Sequence, residues 1–315
     1  MNDPGAAPRD PVLRRLGLAA IVTNVMIVIT GGAVRLTGSG LGCPEWPNCH
    51  PGSMVPVANE DIAVWHQAIE FGNRMLAFVV LAVAAAVLLA ALRRRPRRAD
   101  LVRPAALLVA GVVLQGVVGG ITVLTGLHPL IVAAHFLASI VLITAAVVFH
   151  HRAGRAPGPV RPAVHPYLRH VQVMVLVVLA NVLLLGTLVT ASGPHAGDAA
   201  TPRLGIDPQL ISQFHADGVF LLLGLSIALW FALRATDAPP RVRRATGVLL
   251  GVILAQGTIG YVQYFTGLPE VLVGFHLLGA CLVWIAALTV WLRSTVPAAP
   301  ATVTDDAAST SVPVP

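Results

Sequence analysis

The most informative stretch of this sequence occurs twice: QGVVGGITVLTGLHPLIVAAHFLAS at 115–139 aligns without a gap on QGTIGYVQYFTGLPEVLVGFHLLGA at 256–280. Both copies share an opening Gln-Gly, a central Thr-Gly-Leu and a later histidine at the same offset. The motif TGSG at 37–40 is similarly echoed by TASG at 190–193. Polar matches at fixed spacing disfavour chance similarity between apolar segments, so we predict a duplicated unit.

The composition around this repeat is that of a membrane protein. The 315 residues are 56% hydrophobic and 11% charged, with a mean hydropathy of +0.79, whereas soluble domains are about 25% charged. Apolar runs of about 20 residues, enough to cross a bilayer, lie at 16–37, 66–92, 104–125, 131–150, 169–191, 211–233, 246–266 and 271–292. We therefore predict an all-α polytopic membrane protein with eight transmembrane helices in two repeated four-helix bundles, parallel because four helices separate equivalent points.

The charged residues predict the orientation in the bilayer. The net charge of +7 comes from arginine, since the chain has no lysine. All but three arginines lie at the chain ends or in 93–103, 151–169 and 234–244. By the positive-inside rule both termini are cytoplasmic, which suits a multi-pass protein of the cell (plasma) membrane. Clustering in these short loops argues against nucleic acid as a partner, and no small-residue cleavage site follows the first run, so the first helix is expected to be uncleaved.

These segments predict the domain organisation. Residues 1–15 are a cytoplasmic N-terminus, 16–150 and 169–293 are the two four-helix halves, and 151–168 is a cytoplasmic linker. The Pro/Ala/Thr-rich stretch 294–315 is expected to be a disordered cytoplasmic tail.

Four histidines lie near the starts of the even-numbered helices: His66, His135, His215 and His276. A lone histidine on an apolar helix is more often a satisfied core residue, but four at matching depth, in two pairs related by the repeat, favour ligation. Two imidazoles from facing helices can hold a six-coordinate haem between them. We therefore predict two haem sites in the outward half of the bilayer, His66 with His135 and His215 with His276. The other seven histidines are interpreted as solvated.

The first half carries a distinctive segment, HQAIEFGNR at 66–74. On a helix His66, Glu70 and Asn73 fall within about 60° of one another. Ionisable groups inside a membrane are costly and usually functional, although a polar helix end that reaches the headgroups is the alternative.

The second half has no such segment, because Asp217 is followed by apolar residues. A carboxylate beside an iron ligand suits proton transfer, so we expect Glu70 to handle protons while the second haem only carries electrons. Arg74 and Arg35 are candidates for binding haem propionates through bidentate hydrogen bonds.

Cys43 and Cys49 bracket CPEWPNC in the first outward loop. A disulfide is expected on that oxidising side, and a redox-active thiol pair is the alternative. Cys281 in the eighth helix is interpreted as a small buried hydrophobe.

These residues resemble a known family. TGGAVRLTGSGLGCPEWPNC (30–49), IEFGNR (69–74), the Gln-Gly…His helices and GTLVTASGPHAGD (186–198) are similar to haem A synthases, and the likeness runs from Leu16 to Arg293. The resemblance implies an oxidoreductase that converts the C8 methyl group of haem O to a formyl group by two hydroxylations and loss of water. The product, haem A, serves terminal cytochrome oxidase. It also implies haem O as substrate in the N-terminal half, haem b in the C-terminal half, a role in cytochrome oxidase assembly and haem O synthase as supplier.

The sequence departs from the family at one point. Many members have a histidine at the positions of Asn73 and Leu222, whereas here His66 and His215 each lie seven residues earlier. Seven residues make about two turns, so these side chains return to the same helix face roughly 10 Å along the axis. We interpret His66 and His215 as the ligands in this branch and keep Asn73 as a further candidate for binding the haem.

Two other classes of function remain. One is a non-catalytic bis-His di-haem b cytochrome that transfers electrons, and the other is a duplicated transporter with polar residues at mid-membrane. The presence of Glu70 and Arg74 in one half only favours the enzyme over a symmetric cytochrome.

Overall fold

A computed structural model describes residues 10–58 and 60–298. Its helices are α1 (Pro11–Leu36), α2 (Val64–Arg93), α3 (Ala99–Leu124), α4 (Pro129–Ala153), α5 (Pro166–Ser192), α6 (Pro208–Ala235), α7 (Pro240–Phe265) and α8 (Glu270–Arg293). Within the described residues, all eight are long and apolar enough to cross a membrane. The prediction of an all-α polytopic membrane protein is therefore confirmed.

Local sequence explains where the helices begin. Five of them start with proline in the first turn, where the missing N–H costs no helical hydrogen bond. Asp10 caps α1 by accepting hydrogen bonds from the backbone N–H groups of Val12 and Leu13, at 3.0 and 3.1 Å. Asp207 caps α6 in the same way.

The turn between α3 and α4 recurs between α7 and α8. Gly126 and Leu127 have φ of 60° each, and Gly267 and Leu268 have φ of 80° and 61°. A leucine in the left-handed region is uncommon, and here it follows Thr-Gly in both copies. The duplication read from the sequence thus extends to backbone conformation.

The helices pack as two rings of four. Each of α1–α4 contacts its neighbours in the first ring, and α5–α8 repeat this arrangement, with α8 packed on α1 and α4 and α5 on α4. We call the side that carries 94–98, 154–165 and 236–239 the arginine-rich face. The opposite side, with 37–58, 60–63, 125–128, 193–207 and 266–269, is the disulfide face.

Apolar side chains fill the first ring toward the arginine-rich face. A buried cluster there includes Leu13, Val87, Leu101 and Phe149. A second cluster fills α5–α8 and the contact between the rings, where the Trp284 indole N–H donates to the Thr144 hydroxyl at 2.8 Å. Toward the disulfide face the interior is open.

The expected disordered tail begins with ordered residues instead. Strand β2 (Thr295–Pro297) pairs antiparallel with β1 (Val160–Pro162) of the loop between α4 and α5, so backbone hydrogen bonds hold this part of the chain at the arginine-rich face. Residues 299–315 lie outside the described part of the chain.

Candidate functional site

A large continuous cavity runs through the disulfide-face half of both rings. Its volume is about 1880 Å³, whereas the pocket for one drug-sized ligand measures roughly 300–1,000 Å³. Three of the predicted ligands, His135, His215 and His276, line it. Most other lining residues are apolar, as a large hydrophobic ligand requires.

The second ring holds a facing pair of imidazoles. The ring centroids of His215 and His276 lie 6.3 Å apart. Two imidazoles that bind one metal ion at about 2 Å each have centroids about 6 Å apart. The His215 Nδ1 lies 3.0 Å from the Val182 carbonyl oxygen, and donation to that oxygen leaves Nε2 as the nitrogen with a free lone pair. The predicted pairing of His215 with His276 is thus compatible with one iron.

His135 and His276 make equivalent contacts with a glutamine and a glycine of the preceding helix. The Gln115 side-chain amide donates to the His135 carbonyl at 3.0 Å, and Gln256 donates to His276 at 2.8 Å. Each imidazole also lies against a glycine of the preceding helix, where an added Cβ would sit 3.6 Å from the ring of His135 and 3.1 Å from that of His276.

The structure does not bring His66 and His135 together around the cavity. His66 is absent from the residues of the described chain that line it. Its Nδ1 lies 2.9 Å from the Ser39 hydroxyl, and its ring stacks on Trp65 at 3.5 Å. Asn73 lines the cavity instead, with its Oδ1 2.7 Å from the Thr30 hydroxyl. The predicted N-terminal pair is therefore not assembled.

Glu70 and Arg74 form a buried ion pair on the cavity wall. The Arg74 Nη2 lies 2.6 Å from Glu70 Oε1, and Glu70 is 5% exposed. The other carboxylate oxygen accepts the backbone N–H of Cys43 at 2.7 Å. Arg74 also donates to the carbonyls of Cys43 and Asn48 at 2.7 and 2.9 Å. The pair thus joins α2 to the disulfide loop.

Cys43 and Cys49 are joined by a disulfide, as expected. The loop between them carries Trp46, whose indole covers Gly120 so closely that any side chain at 120 would overlap it. The loop therefore closes one wall of the cavity in the first ring.

A model of the family described as "Cytochrome oxidase assembly protein" matches residues 14–205. The chain belongs to this family. Its relatives include proteins named "Heme A synthase" from Symbiobacterium thermophilum, 28% identical over 79% of this chain and 84% of the relative, and from Brucella anthropi, 28% identical over 90% and 92%. A third, from Bacillus pumilus, is 35% identical over 42% of this chain and 44% of the relative. The resemblance to haem A synthases is confirmed.

The match to this cytochrome oxidase assembly family ends at 205, just before α6. The second ring is similar to haem A synthases through the alignment with the relative from Brucella anthropi, which covers 90% of this chain, and it is related to the first ring by the internal repeat. The geometry of His215 and His276 is an independent observation on that half.

Arginines meet the cavity where the loops of the disulfide face cover it. Arg35 lines it and donates through Nε to the His195 carbonyl. Arg203 also lines it and donates to the Pro194 carbonyl at 2.6 Å. The sequence indicated Arg35 and Arg74 as propionate-binding residues, but Arg203 was not predicted. Arg203 could have been found, because it is one of only three arginines outside the chain ends and the arginine-rich loops. Gln115 and Gln256, which the repeat had marked, were not predicted either.

Of the seven histidines interpreted as solvated, four are buried or partly buried: His50, His150, His151 and His195. His50 is 3% exposed, with its Nε2 3.0 Å from Gln67 Oε1. His195 is partly buried and donates through Nε2 to the Leu268 carbonyl at 2.9 Å. Both brace loops of the disulfide face, since neutral imidazole can both donate and accept hydrogen bonds.

The residues present fit iron porphyrins. The cavity is mostly apolar, exceeds in volume the pocket for a single drug-sized ligand and is rimmed by guanidinium groups. Among the described residues, the Nδ1 atoms of His135 and His276 are buried without a hydrogen-bond partner, an arrangement that is costly unless the ring has another role.

Proposed function

We propose that this chain is a haem A synthase, which oxidises the C8 methyl group of haem O to the formyl group of haem A. One observation carries the proposal: two histidine-bearing sites related by the repeat share a cavity, and among the described residues only the N-terminal site has a carboxylate–guanidinium ion pair on its wall. A carrier of electrons needs no such asymmetry, whereas oxidation of a methyl group needs a proton acceptor.

The overall conversion balances as R–CH3 + H2O → R–CHO + 4 H⁺ + 4 e⁻. A one-electron acceptor has to take up these electrons. When bound, haem b held by His215 and His276 supplies this one-electron chemistry. His135 would bind the iron of haem O, and Arg35 at the rim would bind a propionate. Arg74 cannot bind one through two hydrogen bonds, because its Nε and both Nη atoms already donate to Glu70, Asn48 and Cys43.

Glu70 is the residue we assign to proton transfer. Its carboxylate lies one turn from Asn73 on the cavity wall, and the N–H of Cys43 and the guanidinium of Arg74 fix its orientation. A carboxylate held in this way can accept a proton lost from the substrate methyl as that carbon is oxidised. The disulfide loop positions this carboxylate through the backbone N–H of Cys43.

The arginine distribution supports a location in the cell membrane with both termini in the cytoplasm. The cavity then opens in the outward half of the bilayer. We further propose that a haem O synthase supplies the substrate, because haem O is too apolar to cross water unaided, and that terminal cytochrome oxidase receives the product.

Cells that make haem O but not haem A test this function. Expressing this chain in them is expected to add haem A to the extracted haems, separated by chromatography, and an empty vector is the control. A purified protein that carries only b-type haem, with no haem A in the extract, would favour the electron-transfer cytochrome. A protein without stoichiometric haem would favour a transporter.

A further inference from the structure

The two sites differ in one ligand position, and the duplication shows which residue fills it. In the second ring the position opposite His276 belongs to His215, which contacts α5 at the Val182 carbonyl and at Gly186. In the first ring His135 takes the place of His276, with the same glutamine and glycine contacts. The residue opposite His135 is therefore the one that contacts α1 at the matching level.

That residue is Asn73. Aligning TGSG on TASG places Val182 and Gly186 at the level of Ile29 and Ala33. The Asn73 amide contacts Thr30 and lies next to Gly31, between these two levels.

His66 lies at a different level. It contacts Gly38 and Ser39, which match Ala191 and Ser192. This is more than one helical turn nearer the disulfide face than Gly186. The seven residues between His66 and Asn73 explain how both share a helix face and only one reaches the cavity.

A primary amide does not replace imidazole as an iron ligand. Its nitrogen is a donor without an available lone pair, and its oxygen is a hard ligand that suits Mg²⁺ or Ca²⁺ better than haem iron. The Asn73 oxygen is already beside the Thr30 hydroxyl, which also lies 3.0 Å from the Met26 carbonyl. Within the described chain no hydrogen-bond acceptor is recorded for its Nδ2.

We propose that the N-terminal site binds porphyrin iron through His135 alone, with the Asn73 amide as a hydrogen-bond donor beside an open sixth position. A small uncharged ligand of the iron can then enter from the cavity and accept that hydrogen bond. Donors and free space on the distal side decide whether haem iron binds such ligands. The inference rests on the proposed function only in that a porphyrin occupies this site.

Carbon monoxide is the probe, because it binds ferrous haem only where a coordination position is open. Purified wild-type chain is expected to show one carbon-monoxide-reactive, high-spin haem and one inert, low-spin haem. The reactive haem should be missing from His135→Ala. Asn73→His should keep the haem content and convert the reactive haem to a low-spin, inert one, while His66→Ala should leave both signals as in the wild type.

Three results would overturn the proposal: a wild-type protein in which all haem is low-spin and inert, a carbon-monoxide-reactive haem that survives in His135→Ala, or a spin-state change in His66→Ala. A fourth is an Asn73→His variant whose N-terminal haem stays high-spin, because residue 73 would then not lie opposite His135. The spectra report ligation whether or not haem A is formed, so failure of the proposed enzyme activity is scored separately, on extracted haems.

Discussion

Replacing Glu70 by glutamine is expected to lower the yield of haem A about 100-fold or more while both haem sites stay filled. The amide keeps nearly the same shape and can still accept the Cys43 N–H, but it cannot take up a proton. Loss of a general base typically costs 10²- to 10⁴-fold in rate. Chromatography of extracted haems should show haem O or its alcohol in place of haem A.

The structure suggests that this variant folds. Removing one partner of a buried ion pair can cost about 3–5 kcal/mol, but here Arg74 keeps the carbonyls of Cys43 and Asn48. Haem content of the purified variant checks this directly. Glu60→Gln, which changes an exposed carboxylate beside the same helix, is the matched control and should convert normally. Normal haem A from Glu70→Gln would remove Glu70 from the mechanism.

Replacing His276 by alanine is expected to remove the C-terminal haem, so that the haem-to-protein ratio falls by about half and the low-spin signal is lost. His276 supplies one of the two facing imidazoles, and the substitution removes only that ring, because the Gln256 side chain donates to the backbone carbonyl of residue 276, which alanine keeps. A single remaining imidazole leaves the iron five-coordinate at best. Absorbance and electron paramagnetic resonance of the purified variant measure both effects.

His128→Ala is the control for this substitution. His128 is an exposed histidine of the same face, in the turn before α4, and does not line the cavity. It should leave haem content unchanged. If His276→Ala retained the full low-spin signal, the pairing of His215 with His276 would be contradicted.

Hydropathy and the repeat predicted most of the fold, since helix length, apolar runs and the Thr-Gly-Leu turn are local properties. The sequence also singled out His135, His215, His276 and Glu70, all of which line the cavity, and the disulfide is confirmed. The roles of the histidines as ligands and of Glu70 as proton acceptor stay predictions. The sequence does not predict which position along a helix axis lies beside the cavity. Helical periodicity places His66 and Asn73 on one face but cannot say which of two levels, about 10 Å apart, meets the cavity.

The long-range contacts of the loops could not be predicted from the sequence either. The disulfide loop folds back so that Trp46 covers Gly120, and Arg203 reaches the Pro194 carbonyl. Such contacts join residues far apart in the chain or in loops without periodicity, where no pattern encodes the partner. The strand at Thr295–Pro297 was missed for a similar reason, because its partner is in another loop.

The central claim is that each four-helix ring holds one iron porphyrin toward the disulfide face and that one of the two is oxidised there. Pyridine haemochrome spectra of the purified chain, co-expressed with a haem O synthase, test it most directly. The account predicts one b-type haem and one O- or A-type haem per chain, with an A-type band. A chain with b-type haem alone, or with far less than one haem per ring, would contradict it.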